Sequence, residues 1–497
     1  MLLALAATLS TMHYAGEVPA TGGDYLDIPF EVPANTKEIE ISHDDGSAVV
    51  ILDWGVWSPS GFRGWGGGNS EKIVIGVGES SRSYLPGPIE AGTWHLIIGK
   101  AKLSSEANMY SADVTCRDDV TLLPRARADY APAVLAHERR WYAGDFHVHS
   151  SESGDADATF EEIRALATMR GLDFVNLSDH NTMSQHALIA AVQPRVPDLL
   201  FLRGAEITTY KGHGNSVGVP VYVDHRIGFD GRAIAGVLDD VHAAGGVFIV
   251  NHPKLDLGDI CIGCAWKHDD TPWNEVDAME LITGNFEIGI NAFVPQVVEL
   301  WDQQLDAGNR IAIVGGSDDH TAGKSTGATA SPIGSPTTMV LATELSEAAI
   351  IDAIKHGRTM VKLRGSDDPD LIATMKTAEN TDADIGDQID GIGDIVVDAN
   401  VKRGANGQVQ LWRNGEKLSS VTIEGDDFST KLTDRPGPGE FRYRVEVLND
   451  INQRVVVTSH FYVSAIAVED GCGCRSSEPA GAIPFGLAVL ALRRRRR

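Results

Sequence analysis

Six histidines, two aspartates and one glutamate gather in short clusters between residues 147 and 320, and these are the side chains a multi-metal site needs. The clusters read His147-x-His149, Ser153-Gly154-Asp155, Asp179-His180-Asn181, Glu206-Ile207-Thr208, Gly212-His213-Gly214-Asn215, Asn251-His252-Pro253 and Ser317-Asp318-Asp319-His320. Each sits at or just after a short apolar run, where a strand would hand over to a loop. Imidazole and carboxylate suit zinc, manganese and iron, and a set without thiolate does not choose among them. The chemistry this pattern predicts is metal-assisted hydrolysis.

Roles follow from spacing. Two histidines at i and i+2 on a strand share a face, so His147 and His149 can reach one ion, and Asp318 and His320 share a face in the same way. Glu206 has two oxygens free to bridge two cations. Asp155 lies six residues after His149, across a small polar turn. Asp179, beside His180, reads as a side chain that orients an imidazole or handles a proton, and Asp319 shares that reading. Lys254 and Arg203 either neutralise a phosphate or stand as solvated charges. His186, His225 and His242 fall away from strand ends and read as ordinary, partly exposed histidines. One H-x-H alone is weak evidence. The whole set is not, because chance would have to place a metal-type ligand at nearly every strand end of one domain.

The elements that must position these residues are short strands alternating with helices. Between 141 and 360 the strand candidates are 141–146, 173–177, 199–202, 216–219, 246–250, 278–282 and 311–314. Helix candidates are 160–170, 184–191, 232–244, 291–307 and 346–355. Phe160, Ile163, Leu166 and Ala167 keep helical spacing, as do Ile234, Val237, Leu238 and Val241. Such alternation predicts an α/β domain with a parallel sheet under helices, closed into a barrel with the ligands at one mouth.

Around that core the chain reads as all-β. Residues 21–123 have the short, Gly- and Pro-punctuated strands of a sandwich or jelly roll, and 124–140, rich in Ala, Arg and Pro, read as a linker. Residues 366–465 read as a second sandwich, with Asn414-Gly415 between two alternating runs as a hairpin signal. The aromatic, glycine-rich stretch from Trp54 to Gly68 reads as a long surface loop, with sugar stacking as the alternative.

A chain of 497 residues can hold two to four domains, and a net charge of -27 argues against a nucleic-acid surface. It favours a small-molecule ester over a polyanion, which would be repelled at long range. Among the five cysteines, Cys261 and Cys264 form a lone C-x-x-C, read as a local disulfide or two thiols in preference to structural zinc. Residues 1–20 open on an apolar run that resembles a signal-peptide core, although no Lys or Arg precedes it. At the other end, residues 471–497 carry Gly471-Cys472-Gly473-Cys474, a short apolar run from Ala480 to Leu492, and Arg493 to Arg497. That order resembles the myxobacterial C-terminal sorting signal and implies export to the cell surface or medium, transient membrane anchoring and recognition by sorting or processing machinery.

Taken together, the ligand clusters resemble the PHP (polymerase and histidinol phosphatase) superfamily over about residues 141–360. Thr208-Thr209-x-x-Gly212-His213-Gly214-Asn215 after the glutamate is most similar to the carbaryl-hydrolase-like (CehA/McbA) branch. The resemblance implies a distorted seven-stranded (β/α) barrel with two or three divalent metals (zinc, manganese or iron). It implies a first metal on His147, His149, Glu206 and Asp318, with Glu206 bridging to a second on His213 and His252. Asp155, His180 and His320 would hold a third; the family often has histidine at the Asp155 position. The expected reaction is attack of a metal-bridging hydroxide on a phosphoester, or on a carboxylic or carbamic ester, with Glu206, Asp318 and Asp179 as catalytic groups. A different class of reading makes the barrel a surface scaffold whose β-domains bind polysaccharide or protein.

Overall fold

Seven strands carry the clustered residues. The structure, a computed structural model, describes residues 8–326, 330–377, 382–391 and 393–465. The expected sorting tail, and all but the last residue of the apolar run Met1 to Thr8, lie outside the described residues.

The seven strands are β1 (Arg140–Val148), β2 (Phe174–Leu177), β3 (Leu200–Thr209), β4 (Gly212–Val217), β5 (Val247–Val250), β6 (Ala278–Thr283) and β7 (Ala312–Gly316). The helices are α1 (Phe160–Met169), α2 (His186–Val192), α3 (Ile234–Ala243), α4 (Phe286–Ala292), α5 (Val294–Asp306) and α6 (Glu347–Lys355). The strands hydrogen-bond in chain order.

The sheet is mixed, which corrects the expectation of a wholly parallel one. β4 runs antiparallel to both β3 and β5, while the other neighbours among the seven are parallel. The reason is local. Thr209 pairs with Gly212 across Tyr210 and Lys211 alone, and so short a connection makes a hairpin, whereas a crossover needs a dozen residues or more. Reversal brings the start of β4 to the end of the sheet where its neighbours finish, so His213 arrives beside the other ligand candidates.

No continuous ladder joins β7 to β1. They meet through one parallel bridge between Val148 and Asp319, with Asp318 N donating to His147 O at 2.8 Å and His149 N donating to Asp319 O at 3.0 Å. The first half of β1 pairs instead with Thr337–Ala342. From there the sheet continues through Thr359–Lys362 and Arg454–Thr458 into the C-terminal strands.

The helices follow the sequence pattern. Thr159 caps α1 in a reciprocal box: Glu162 N donates to Thr159 Oγ1 at 3.3 Å and Thr159 N donates to Glu162 Oε2 at 3.1 Å. Phe160, Ile163 and Ala167 then face the core. On α5, Val294, Val297, Val298, Trp301 and Leu305 are buried, each large side chain stabilising the fold by roughly 1.5–3 kcal/mol. Trp301 stacks near His460 of the C-terminal region, and Arg444 and Arg442 both reach Asp302. One apolar core therefore runs from the helices of the central unit into the C-terminal strands.

The N-terminal region is a sandwich of two four-stranded sheets around Phe30, Trp54, Leu96 and Trp94. Thr8–Val18, within the stretch expected as a leading segment, is a strand of one sheet, paired with Asn108–Arg117. The Trp54 to Gly68 stretch is a hairpin of Ile51–Ser58 and Gly61–Gly67, correcting the surface-loop reading. Glycine makes this a strand pair that rings can lie across: a Cβ on Gly55 would meet the Trp65 ring at 2.2 Å. Its aromatics press on the central unit, with Phe62 stacked on Tyr222 at 3.5 Å and Trp65 4.5 Å from His225.

Residues 124–140 are pinned at their start. Glu79, only 4% exposed, accepts from Arg125 N at 2.6 Å, Arg125 Nη2 at 3.1 Å and Arg127 Nη2 at 2.7 Å. Burial opposes the charged carboxylate, but these donors outweigh it and hold the group down to about 2, against an ordinary value of 4.5. A lowered carboxylate stabilises the fold above its unfolded value and loses that contribution as pH falls through its folded one. Glu79→Gln should therefore cost about 1–3 kcal/mol at neutral pH and remove part of the stability that the wild type loses between about pH 4.5 and 2. Denaturant titrations across that range check it.

Candidate metal centre

The strand ends converge as the spacing requires. His147 Nε2 stands 3.4 Å from Glu206 Oε2 and 3.2 Å from Asp318 Oδ1, and His149 Nε2 stands 3.7 Å and 3.0 Å from the same two oxygens. Four donors around one ion at about 2.0–2.2 Å lie roughly 3.3–3.6 Å from one another. The other Glu206 oxygen, Oε1, is 3.3 Å from His213 Nδ1 and 3.3 Å from His252 Nε2. Asp155 Oδ2 is 3.3 Å from His180 Nε2 and 3.4 Å from His320 Nε2.

Outer hydrogen bonds fix which nitrogen faces inwards on four of the six rings. His147 Nδ1 donates to Glu280 Oε1 at 2.9 Å, His213 Nε2 to Ile262 O at 3.1 Å, His252 Nδ1 to Cys264 O at 3.1 Å, and His320 Nδ1 to Asp318 O at 2.9 Å. These acceptors carry no proton, so each of these imidazoles donates outwards and turns its other nitrogen towards the cluster, where its lone pair is available to a cation. Two inward atoms, His147 Nε2 and Glu206 Oε2, are buried without a hydrogen-bond partner. Buried polar atoms seldom stay unpaired, and a cation is the partner both can share. By this test the residues fit divalent ions.

The electrostatics agree. Burial would raise the Glu206 carboxyl, but His147, His180 and His213 pull it well below the carboxylate range. Burial would lower the His147 imidazole, but Glu206, Asp318 and Glu280 raise it well above its ordinary value. His149 goes the other way, down to about 3, because burial and the neighbouring His320 and His180 all disfavour its charge. The carboxylates and imidazoles thus favour each other's charged forms, and binding metal ions would displace any protons the imidazoles hold.

Backbone strain gathers at the same place. His252 (φ 28°) and Asp318 (φ 58°) lie in the left-handed region, uncommon for side chains other than glycine. Gly316 is required by close approach: a Cβ there would lie 2.3 Å from His147 Cβ and 2.5 Å from Glu280 Oε1.

All nine ligand candidates are brought together, and the structure gives five of the other residues, Asp179, Asp319, Arg203, His186 and His225, surroundings that the spacing did not indicate. Asp179 does not hold an imidazole. Its carboxylate takes Ser150 N at 2.6 Å and Ser150 Oγ at 2.7 Å, and burial pushes it up to about 7. It anchors the loop that carries Asp155. Asp319 braces its own loop, accepting from Thr321 N at 2.8 Å, Gly323 N at 2.6 Å and Ile333 N at 3.1 Å. Arg203 is committed to Glu347 at 2.6 Å and lies over the Tyr130 ring, so it is not free for substrate. Lys254 is half-buried beside His252 and pairs with no acid among the described residues. His186 and His225 are buried, not partly exposed: His186 Nε2 donates to Gly204 O at 3.1 Å, and His225 packs on Trp65.

Sequence reading missed Glu280 and Asp145. Glu280 Oε2 also accepts from His252 N at 2.8 Å, so one carboxylate ties two ligand candidates. Asp145 accepts from His147 N and Ser317 N, both at 3.0 Å, and from Gly334 N at 2.8 Å. The signal was a lone carboxylate within an apolar strand.

No protein-family model and no curated protein matches the sequence. Two solved structures are similar. One is a two-domain protein from Bacteroides vulgatus containing a predicted PHP-like metal-dependent phosphoesterase, at 16% identity over 67% of this chain and 99% of that one, with a TM-score of 0.36. The other is named as a candidate metal-dependent phosphoesterase from Bifidobacterium adolescentis, at 16% identity over 38% of this chain and 92% of that one, with a TM-score of 0.24. Likeness this loose carries no argument about function.

Glu280→Gln keeps the shape but removes the charge that fixes His147. Metal affinity at one position should fall about 10–100-fold, read by competition against a chromogenic chelator.

Proposed function

We propose that this chain is a metal-dependent hydrolase of PHP type that cleaves ester bonds, with phosphoesters as the favoured class and carboxylic or carbamic esters as its alternatives. One observation supports the reading: four imidazoles, each turned inwards by an outer acceptor, face the carboxylates of Glu206 and Asp318.

His147, His149, Glu206 and Asp318 would hold a first ion, and Glu206 with His213 and His252 a second. Asp155, His180 and His320 would hold a third. Bound divalent ions supply Lewis acidity and lower the pKa of water towards about 7. The protein's own work is positioning. Glu280 and the loop carbonyls lock the imidazoles, Asn251 Nδ2 donates to Glu206 Oε1 at 3.0 Å, and burial keeps bulk water from Glu206. Lys254 is the cation left over to meet an anionic substrate oxygen. With Arg203 committed elsewhere and a net charge of -27, a small monoanionic or neutral ester suits the site better than a polyanion.

The test is turnover of aryl phosphate, aryl ester and aryl carbamate panels by metal-loaded protein. Activity should vanish with chelator and return on adding metal. Glu206→Gln should lower kcat at least about 100-fold with an unchanged circular dichroism spectrum. Lys254→Ala should raise KM for the phosphate more than for the neutral ester. Tight metal binding without turnover on any panel would favour a scaffold role.

A further inference from the structure

The two histidines of the second position owe their orientation to one small loop. After β5 the chain leaves at His252, makes an excursion and returns at Trp266, whose N donates to Pro253 O at 3.1 Å. Within the excursion Cys261 and Cys264 are joined as a disulfide, with Cα atoms 5.6 Å apart. Both carbonyls that fix the second position belong to this ring: Ile262 O, which accepts from His213 Nε2, and Cys264 O, which accepts from His252 Nδ1.

Little else holds the ring in shape. Its other bonds are local turns, such as Cys261 N to Gly258 O at 3.2 Å, and surface ion pairs from Lys102 to Asp259 and Lys267 to Asp256. Gly263 is pressed so closely on the β3–β4 turn that a Cβ would lie 2.3 Å from Thr209 O. Ile260 is 85% exposed, Cys261 is half-buried and Cys264 is 1% exposed, so a reductant meets the cystine from the Cys261 side. The other positions do not depend on this loop. His147 is oriented by Glu280, His320 by Asp318 O, and His180 Nδ1 lies 2.6 Å from Thr208 Oγ1.

We propose that the Cys261–Cys264 disulfide is a redox-sensitive clasp that positions His213 and His252, so that its reduction selectively weakens the second metal position. This rests on the metal-centre reading above. Ile262 and Cys264 act here as positioning residues, through backbone carbonyls. In the reductive step a dithiol gives two electrons to the S–S bond and becomes a disulfide, and its two protons end on the Cys261 and Cys264 sulfurs.

The test uses the full chain with zinc(II) alone, titrated against a chelator before and after reduction, with bound zinc read by atomic absorption. A trialkylphosphine serves as reductant: it takes oxygen from water to become the phosphine oxide and leaves two protons on the sulfurs. Reduction should expose two thiols and weaken one zinc position roughly 10–100-fold, leaving the rest unchanged. Cys261→Ser/Cys264→Ser should show the weakened position without reductant and ignore its addition. Identical zinc curves before and after complete reduction would overturn the clasp while leaving the metal centre intact. Tighter zinc binding on reduction, lost in Cys264→Ser, would also overturn it, making Cys264 a ligand. A chain that binds no zinc in either state would overturn the metal reading and the clasp together.

Discussion

A buried carboxylate surrounded by imidazole is the constraint on which the rest of this structure turns. Glu206 is 1% exposed, and five histidines place a ring nitrogen between 2.8 and 3.7 Å from its oxygens. Burying such an ion costs several kcal/mol even after relaxation, and among the described residues the only neutral side chain donating to it is Asn251. The protein has to supply positive charge there, from imidazolium or from metal. Each feature near the site answers that need: inward lone pairs, outer acceptors that hold the rings, and Gly316, which lets β1 and β7 approach.

Sheet topology does the rest. Strands that run together end together, so parallel neighbours deliver His147, Asp179 and His180, His252 and Asp318 to one edge with their loops. The hairpin reversal of β4 adds His213 at the same edge. The N-terminal sandwich then closes on the loops. Ser83 Oγ donates to Glu152 O at 2.8 Å, Thr182 Oγ1 to Ser83 O at 2.9 Å and Arg82 Nη1 to Ala156 O at 2.9 Å. Gly154 lies so close to Gly66 that a Cβ would stand 2.4 Å from its carbonyl oxygen. An element that read as accessory thus braces the loop bearing Asp155.

Much of this was legible in the sequence because strand ends and ligand types coincide. All seven strand candidates correspond to strands shifted by a few residues, and the helices at Phe160 and Ile234 begin where their apolar spacing begins. What escaped has physical causes. A two-residue turn at Tyr210-Lys211 reverses a strand without altering its apolar pattern. Glycines between tryptophans look like a loop until the rings are seen lying across them. Asp179 and His180 follow the end of β2 and their side chains part there, Asp179 reaching Ser150 while His180 reaches Asp155 and Glu206. The shared core of the central and C-terminal regions was hidden because core continuity leaves no mark at a boundary of composition.

Exposure across the cluster is uneven, and that gradient gives the site a direction. The side chains of His147, His149 and Glu206 are at most 1% exposed, whereas His180 is 23%, His320 26% and Asp155 57%. Asp318, at 26%, belongs with the more exposed group. The open end of the cluster is the one formed by Asp155, His180, Asp318 and His320. Asp155 is set in a loop held from behind by Asp179 through Ser150 and from outside by Ser83 and Arg82. A side chain at the open rim needs that bracing more than one in the interior, because neighbouring packing does not fix its position. Asp155 keeps its charge at this rim because His180 and His320 outweigh the opposition of burial and hold its carboxyl well below the usual carboxylate range.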